Sequence, residues 1–299
     1  LSGEELEKRI NDISGLTRKK ATYASDLVKI TGEVGFEVQK GTLVASETVN
    51  FIVDEQKIID ETGTINIMVK CEKPGVIGNV PVGAIKYFPV TVSGLTSVTN
   101  EVAFTNGYEA ETDEDLLERH KEKVRTPATS GNKYHYKNWA KEITGVGDAK
   151  IFSLWNGNNT VKVLIINQER LPATQSLVDE VQEYIDPEIT GLGDGKAPIG
   201  AFCTIESASA NTINISFDAV VDETVTIAEM TQSVKDNIKE YFRKVAFEKL
   251  KVSYAIIGSK IIDSLGITDY TNLLINGSTS SITLTGHEVP VLGTVSINV

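Results

Sequence analysis

The chain has 299 residues, 40% hydrophobic and 23% charged, which is the make-up of a globular protein long enough for about two domains. Its 41 acidic side chains outnumber 29 basic ones, and the formal charge of −12 gives a field that repels phosphate backbones and anionic membrane surfaces, arguing against nucleic acid as a main partner. Two distant cysteines, Cys71 and Cys203, fit neither a disulfide framework nor a zinc site, and no apolar run approaches the roughly 20 residues that span a bilayer.

In chain order, Ser2 and Glu5 form a capping-box pattern, with Leu6, Ile10 and Ile13 on one face of a short helix over residues 3 to 13 that Gly15 ends. Because the chain opens at Leu1, inside this start signal, an upstream piece is expected. From about Asp26 to Val102 the texture is short β-rich runs broken by Gly and Pro. Ile65, Ile67, Val69 and Cys71 alternate there with Thr64, Asn66, Met68 and Lys70. Thr112 with Asp115 then caps a helix whose face carries Leu116, Leu117, His120 and Val124, with Pro127 as its stop. A second helix follows from about residue 131, with Tyr136, Trp139, Ala140 and Ile143 at helical spacing.

Two runs, DAKIFSLW and TVKVLII, flank the turn Asn156–Asn159 as a hairpin. Thr174 starts a helix with Leu177, Val178, Val181, Tyr184 and Ile185 inward, ended by Pro187. Strands near 201 to 207 and 212 to 220 follow the loop GLGDGKAPIG. The capping box Thr226–Glu229 opens the longest helix, which carries Ile227, Met230, Val234, Ile238, Tyr241, Val245 and Leu250. A shorter helix around Ile256 to Leu265 and three strands complete the chain.

The expected fold is α+β and multidomain: an antiparallel β-rich domain, then α+β units of helices packed on small antiparallel or mixed sheets. The expected divisions are a helical segment 1–24, a β-rich domain 25–108, an α+β domain 109–208 and a C-terminal α+β domain 209–299.

The motif GVGDAK at 145 to 150 has the look of a phosphate-binding loop. Such a loop needs strand, glycines, then helix, because the phosphate sits on free N–H groups at the helix N-terminus. Here a helix precedes and a strand follows, so Gly145 reads as a helix C-cap and the loop as a corner. The acidic run Glu109, Glu111, Asp113, Glu114 and Asp115 lacks calcium-loop spacing and suits a helix N-terminus. His120, His135 and His287 stand apart and belong to no catalytic motif. No catalytic, cofactor or metal residue is assigned. Arg18-Lys19-Lys20 reads as a solvated basic patch at the first helix exit, with docking of an acidic neighbour as the alternative. Core packing is the default for Trp139 and Trp155, although a tryptophan near a turn also suits an interface.

Four stretches carry a resemblance: GLTRKKAT at 15 to 22, EKPGVIGNVPVGAI at 72 to 85, LTSVTNEVAFTNGYEAETDEDLLERHK at 95 to 121, and TPATSGNKYHYKNWAKEITGVGDAKIFSLWNGNNTVKVLII at 126 to 166. In these the chain resembles the baseplate J-like family, the wedge proteins of contractile phage tails and phage-tail-like particles. From about residue 209 only the pattern of a long helix and terminal strands fits. Glu101 stands where the family often has Pro, and several family glycines near 107 are replaced.

The resemblance implies a structural protein with no enzymatic reaction and no cofactor. Its partners would be other wedge proteins, copies of itself, the central hub or spike and sheath-proximal proteins, without nucleic acid or stable membrane insertion. It would form wedges and a ring around the hub, and rearrange to trigger sheath contraction. It would occupy the bacterial cytoplasm during assembly, then the baseplate of a phage tail or tail-like particle. Candidate interface residues are Arg18, Lys19, Trp155, Asn156, Asn158 and Asn159. The segment Glu109 to Gly145, two capped helices joined by Thr126-Pro127, reads as a lever. The alternative is a tail-associated carbohydrate-binding or carbohydrate-active protein, motivated by the β-rich segment and the acidic balance.

Overall fold

The structure, a computed structural model, describes residues 1–125, 129–221 and 225–298. It divides into two compact units, Leu1–Pro127 and Ala128–Val299. The chain is α+β and multidomain, with antiparallel and mixed sheets.

The first unit opens with helix α1 (Gly3–Ser14), closed by Gly15 in the left-handed region at φ 70°. Ser2 sits at its N-cap in extended conformation but makes no side-chain capping hydrogen bond, so the expected capping box does not form. Leu6 and Ile10 are buried against Leu116, whereas Ile13 points to solvent.

Seven strands follow: β1 (Ser25–Gly32), β2 (Glu37–Val38), β3 (Leu43–Ala45), β4 (Asn50–Val53), β5 (Lys57–Ile58), β6 (Thr64–Cys71) and β7 (Leu95–Thr99). Five pair antiparallel in the order β3-β4-β6-β1-β7, and β2 pairs with β5. The edge strand β3 is extended by Tyr87, whose N–H donates to the Ala45 carbonyl at 3.1 Å. Register follows the two-residue period: Ile67 and Val69 of β6 turn inward, and Val28 lies opposite Ile67. Phe51 meets Phe104 edge to face in this core, centroids 5.3 Å apart. Asn100, fully buried, satisfies its amide by donating to the carbonyls of Pro81 and Val102 and accepting from the Ile85 N–H.

Helix α2 (Asp113–Arg125) closes this unit. Thr112 caps it as expected, its Oγ1 accepting from the Asp115 N–H at 3.1 Å. Leu116 is buried and Leu117 half-buried, but Val124 is exposed, so the inward face is shorter than the spacing suggests. The expected stop at Pro127 and the Thr126-Pro127 joint lie outside the described residues.

The second unit holds α3 (Lys133–Glu142), the hairpin β8 (Val146–Ser153) and β9 (Thr160–Asn167), α4 (Gln175–Ile185) and β10 (Phe202–Ser207). Strand β10 pairs parallel to β9, giving the sheet order β10-β9-β8, and α4 makes the crossover such a pairing requires. Then come β11 (Ser209–Val221), α5 (Ile227–Val245), β12 (Lys251–Val252), α6 (Tyr254–Ile262), β13 (Ile267–Ile275), β14 (Ile282–Thr283) and β15 (Glu288–Asn298). The sheet β13-β11-β15 is mixed, antiparallel on one side and parallel on the other. Helix α5 buries Met230, Val234, Ile238, Tyr241, Phe242 and Val245 on it. Its capping box at Thr226 and Glu229 is complete. Ile227 and Leu250 are exposed, because the first lies at the helix start and the second beyond its end.

Candidate functional site

The GVGDAK corner is structural in its geometry. Helix α3 stops at Glu142, with Ile143 as an extended C-cap, two residues earlier than a cap at Gly145 would place it. Gly145 instead takes φ 98° inside the turn closed by the Val146 N–H on the Ile143 carbonyl. A Cβ on Gly147 would lie 2.1 Å from the Asn167 carbonyl oxygen, so this glycine permits the close pairing of β8 with the end of β9. The following residue, Asp148, is buried, 3.0 Å from Lys137 Nζ, 3.3 Å from Arg170 Nη1 and 3.9 Å from Lys141 Nζ. Burial alone raises the pKa of a carboxyl, but these three cations outweigh it and hold Asp148 below the ordinary aspartate value. A phosphate would find a carboxylate here, not a free cation.

The hairpin tip is different. Residues 153 to 159 are all exposed. The turn is held from within: the Leu154 N–H donates to the Thr160 carbonyl at 2.7 Å, and Thr160 Oγ1 donates to the Gly157 carbonyl at 2.7 Å. Leu154, Gly157 and Asn159 all take positive φ. The Asn159 carbonyl accepts from the Phe202 N–H, tying the base of the tip to β10. Trp155 is 40% exposed and not a core residue; its ring lies over Lys162 Nζ at 3.7 Å, and Lys162 in turn pairs with Glu206 at 2.7 Å. Trp155, Asn156, Asn158 and Asn159 thus stand together on one rigid, solvent-facing turn. Trp139 is half-buried, stacked on His135 and edge-on to Tyr136.

Arg18 and Lys19 are placed otherwise. Arg18 is not a solvated cation: its guanidinium donates to Asp113 Oδ1, to the Glu111 carbonyl at 2.6 Å, and lies 3.6 Å from Glu7. Lys19 is half-buried, and its backbone exchanges hydrogen bonds with Glu111. The acidic run is divided among such tasks. Glu111 pairs with Arg119, Asp115 caps with Thr112, and Glu109 accepts from the Val76 N–H.

The histidines are also engaged locally: His120 with Ser14 Oγ at 2.9 Å, His135 with the Gly131 N–H, and His287 stacked on Phe152. Both cysteines are buried and free, and burial pushes the Cys203 thiol pKa well up. Among the described residues no cluster of three His, Cys, Asp or Glu is arranged for a metal, and no helix is long and apolar enough to cross a membrane.

A multidomain α+β chain with internally paired polar clusters and an exposed rigid turn has the character of an assembly component. The matches to known families agree, in three consecutive blocks: the baseplate J-like protein barrel domain over residues 27–107, the baseplate J-like central domain over 128–207, and the baseplate J-like protein C-terminal domain over 213–298. The chain belongs to the baseplate J-like family, and its class is that of a structural baseplate protein. It is 36% identical over 297 residues to the phage-like element PBSX protein XkdT of Bacillus subtilis, covering 99% of this chain and 81% of that protein. It is 27% identical over 299 residues to baseplate protein gp47 of Escherichia phage Mu, covering 94% and 78%. A chain in the cryo-EM structure of the anti-feeding prophage baseplate, 6-fold symmetrised, aligns at 10% identity with a TM-score of 0.42, covering 99% and 81%.

Proposed function

We propose that this protein is a non-enzymatic building block of a contractile-tail baseplate, joining other proteins into wedges and a ring around a central hub, and rearranging to trigger sheath contraction. The observation that carries this reading is the ordered run of three baseplate J-like domains through nearly the whole chain. Its partners are other wedge proteins, further copies of itself, the hub or spike, and sheath-proximal proteins. Assembly takes place in the bacterial cytoplasm, and the finished particle is a phage tail or a tail-like particle. The four parts 1–24, 25–108, 109–208 and 209–299 are its working divisions, and the segment Glu109 to Gly145 is the lever of the rearrangement.

Contacts are made through connectors that can vary without disturbing a core. The tip bearing Trp155, Asn156, Asn158 and Asn159 is the first of them, since a partly exposed aromatic on a rigid turn loses little conformational freedom on docking. The surface beside Arg18 and Lys19 is the second, with Arg18 shaping it through its internal pairs. Coexpression with its operon neighbours should yield stable heteromeric complexes. Intact, contracting particles assembled without this chain would overturn the reading. The lever is tested by comparing particles before and after contraction, where it fails if residues 109 to 145 and both flanking domains superpose as one body.

A further inference from the structure

We infer that a cleft beside α5 in the second unit is a docking site for an acidic peptide segment carrying one bulky apolar side chain. The cleft has a volume of about 300 Å³ and lies between the turn at Glu169–Leu171, helix α5 and strand β15. Its floor is apolar: Phe242 and Pro290 are buried, and Leu171, Val291 and Leu292 are half-buried. At its mouth Lys239 and Arg243 stand one helical turn apart, both exposed. Neither has a salt bridge or side-chain hydrogen bond among the described residues. The next cation on the helix, Lys244, is by contrast paired with Glu240 at 2.5 Å. Two further charged groups line the cleft. Arg170 is held by Asp148 at 3.3 Å, and Glu169 contributes the carboxylate.

The balance at the mouth is therefore cationic on a chain whose formal charge is −12. Such a local reversal of sign selects carboxylates and steers them in. An apolar floor under the cations offers a hydrated phosphate nothing. The cleft lies at the lower end of ligand-pocket volumes, which run about 300–1,000 Å³, so it takes a side chain and not a folded element. An acidic segment with a Phe, Trp or Leu satisfies both chemistries at once. The chemistry of the cleft is independent of which assembly holds the chain.

The full chain is panned against a displayed random octapeptide library, in parallel with the variant K239E/R243E. Both replaced side chains are exposed, and a melting temperature equal to the wild type's establishes that the variant folds. Peptides enriched on the wild type are expected to carry net negative charge around an aromatic or aliphatic residue. A synthetic peptide of the enriched sequence should bind about tenfold more weakly to K239E/R243E and weaken with added salt. Replacing its apolar residue by Ala should weaken it further, and its amide-shift footprint should fall on Leu171, Val291 and Leu292. Failure to enrich any sequence, selection of basic or neutral peptides, or equal affinity for wild type and K239E/R243E would overturn the inference.

Discussion

Glu111 and Arg119 form a two-point ion pair almost entirely out of solvent, with Nε to Oε1 at 2.7 Å and Nη2 to Oε2 at 2.6 Å. Arg119 also donates to the Thr17 carbonyl at 2.7 Å, so one guanidinium joins α2 to the segment leaving α1. Removing one member of such a pair leaves a buried charge without its counterion. Glu111→Ala is expected to destabilise the first unit by about 3–5 kcal/mol, read from its urea or thermal transition. Loss within experimental error of wild type would mean that the pair does not hold α1 and α2 together.

Asp148 gives a pH dependence with a defined sign. Its pKa in the folded chain lies below the unfolded value of about 3.9, so the unfolded state binds the proton more readily. Its contribution is fully present above that unfolded value and is lost as pH falls below about 4 toward the folded pKa. Asp148→Asn, which removes the buried carboxylate that Lys137, Lys141 and Arg170 share, should lie about 3 kcal/mol below wild type at neutral pH. The gap in urea midpoint between the two proteins should narrow as pH drops below about 4. A gap that widens on acidification would contradict the geometry.

The two N-caps should respond differently to the same chemical change. Thr226→Ala deletes one half of a formed capping box and is expected to lose about 1–2 kcal/mol. Ser2→Ala removes a hydroxyl that makes no capping bond, and should stay within about 0.5 kcal/mol of wild type. Thermal unfolding of both variants checks the pair.

Gly147→Ala forces a methyl against the Asn167 carbonyl oxygen, and β8 or β9 must shift to admit it. A loss of about 1–3 kcal/mol is expected, with weakened amide protection along the hairpin in hydrogen exchange. A neutral substitution would mean that the glycine has no packing role.

Trp155→Ala separates stability from assembly. Because the ring is partly exposed and covers Lys162, its removal should change stability by only about 1 kcal/mol. Copurification with neighbouring baseplate proteins should fall much further, as expected for an aromatic anchor on a turn. A variant that assembles like wild type would remove the tip from the list of contacts.

Periodicity and turn chemistry carried the elements well. Alternation in β6, the helix-then-strand order around GVGDAK, and the caps at Thr112, Thr174 and Thr226 were all visible in the sequence, because they are set by neighbours within a few residues. The ends of apolar faces were not. Ile13, Val124 and Ile227 continue a helical spacing, yet they are exposed because the surface each helix packs on is finite, and Leu250 is exposed because α5 ends at Val245 before reaching it. Likewise Ser2 has the pattern of a capping box and an extended N-cap backbone, but its side chain makes no capping bond, a choice of rotamer that the sequence pattern does not set.

By itself the sequence determined the fold class, the direction of the glycine corner and the family, since these rest on local pattern and on residue order. Tertiary structure decided which charges are available. Arg18, in the basic patch of the sequence, spends its guanidinium on Glu111, Asp113 and Glu7, whereas Lys239 and Arg243, unremarkable in the sequence, have no ion-pair partner among the described residues and stand beside an apolar cleft. The physical reason is that a salt bridge needs its partners within about 4 Å, a condition imposed by packing between segments far apart in the chain.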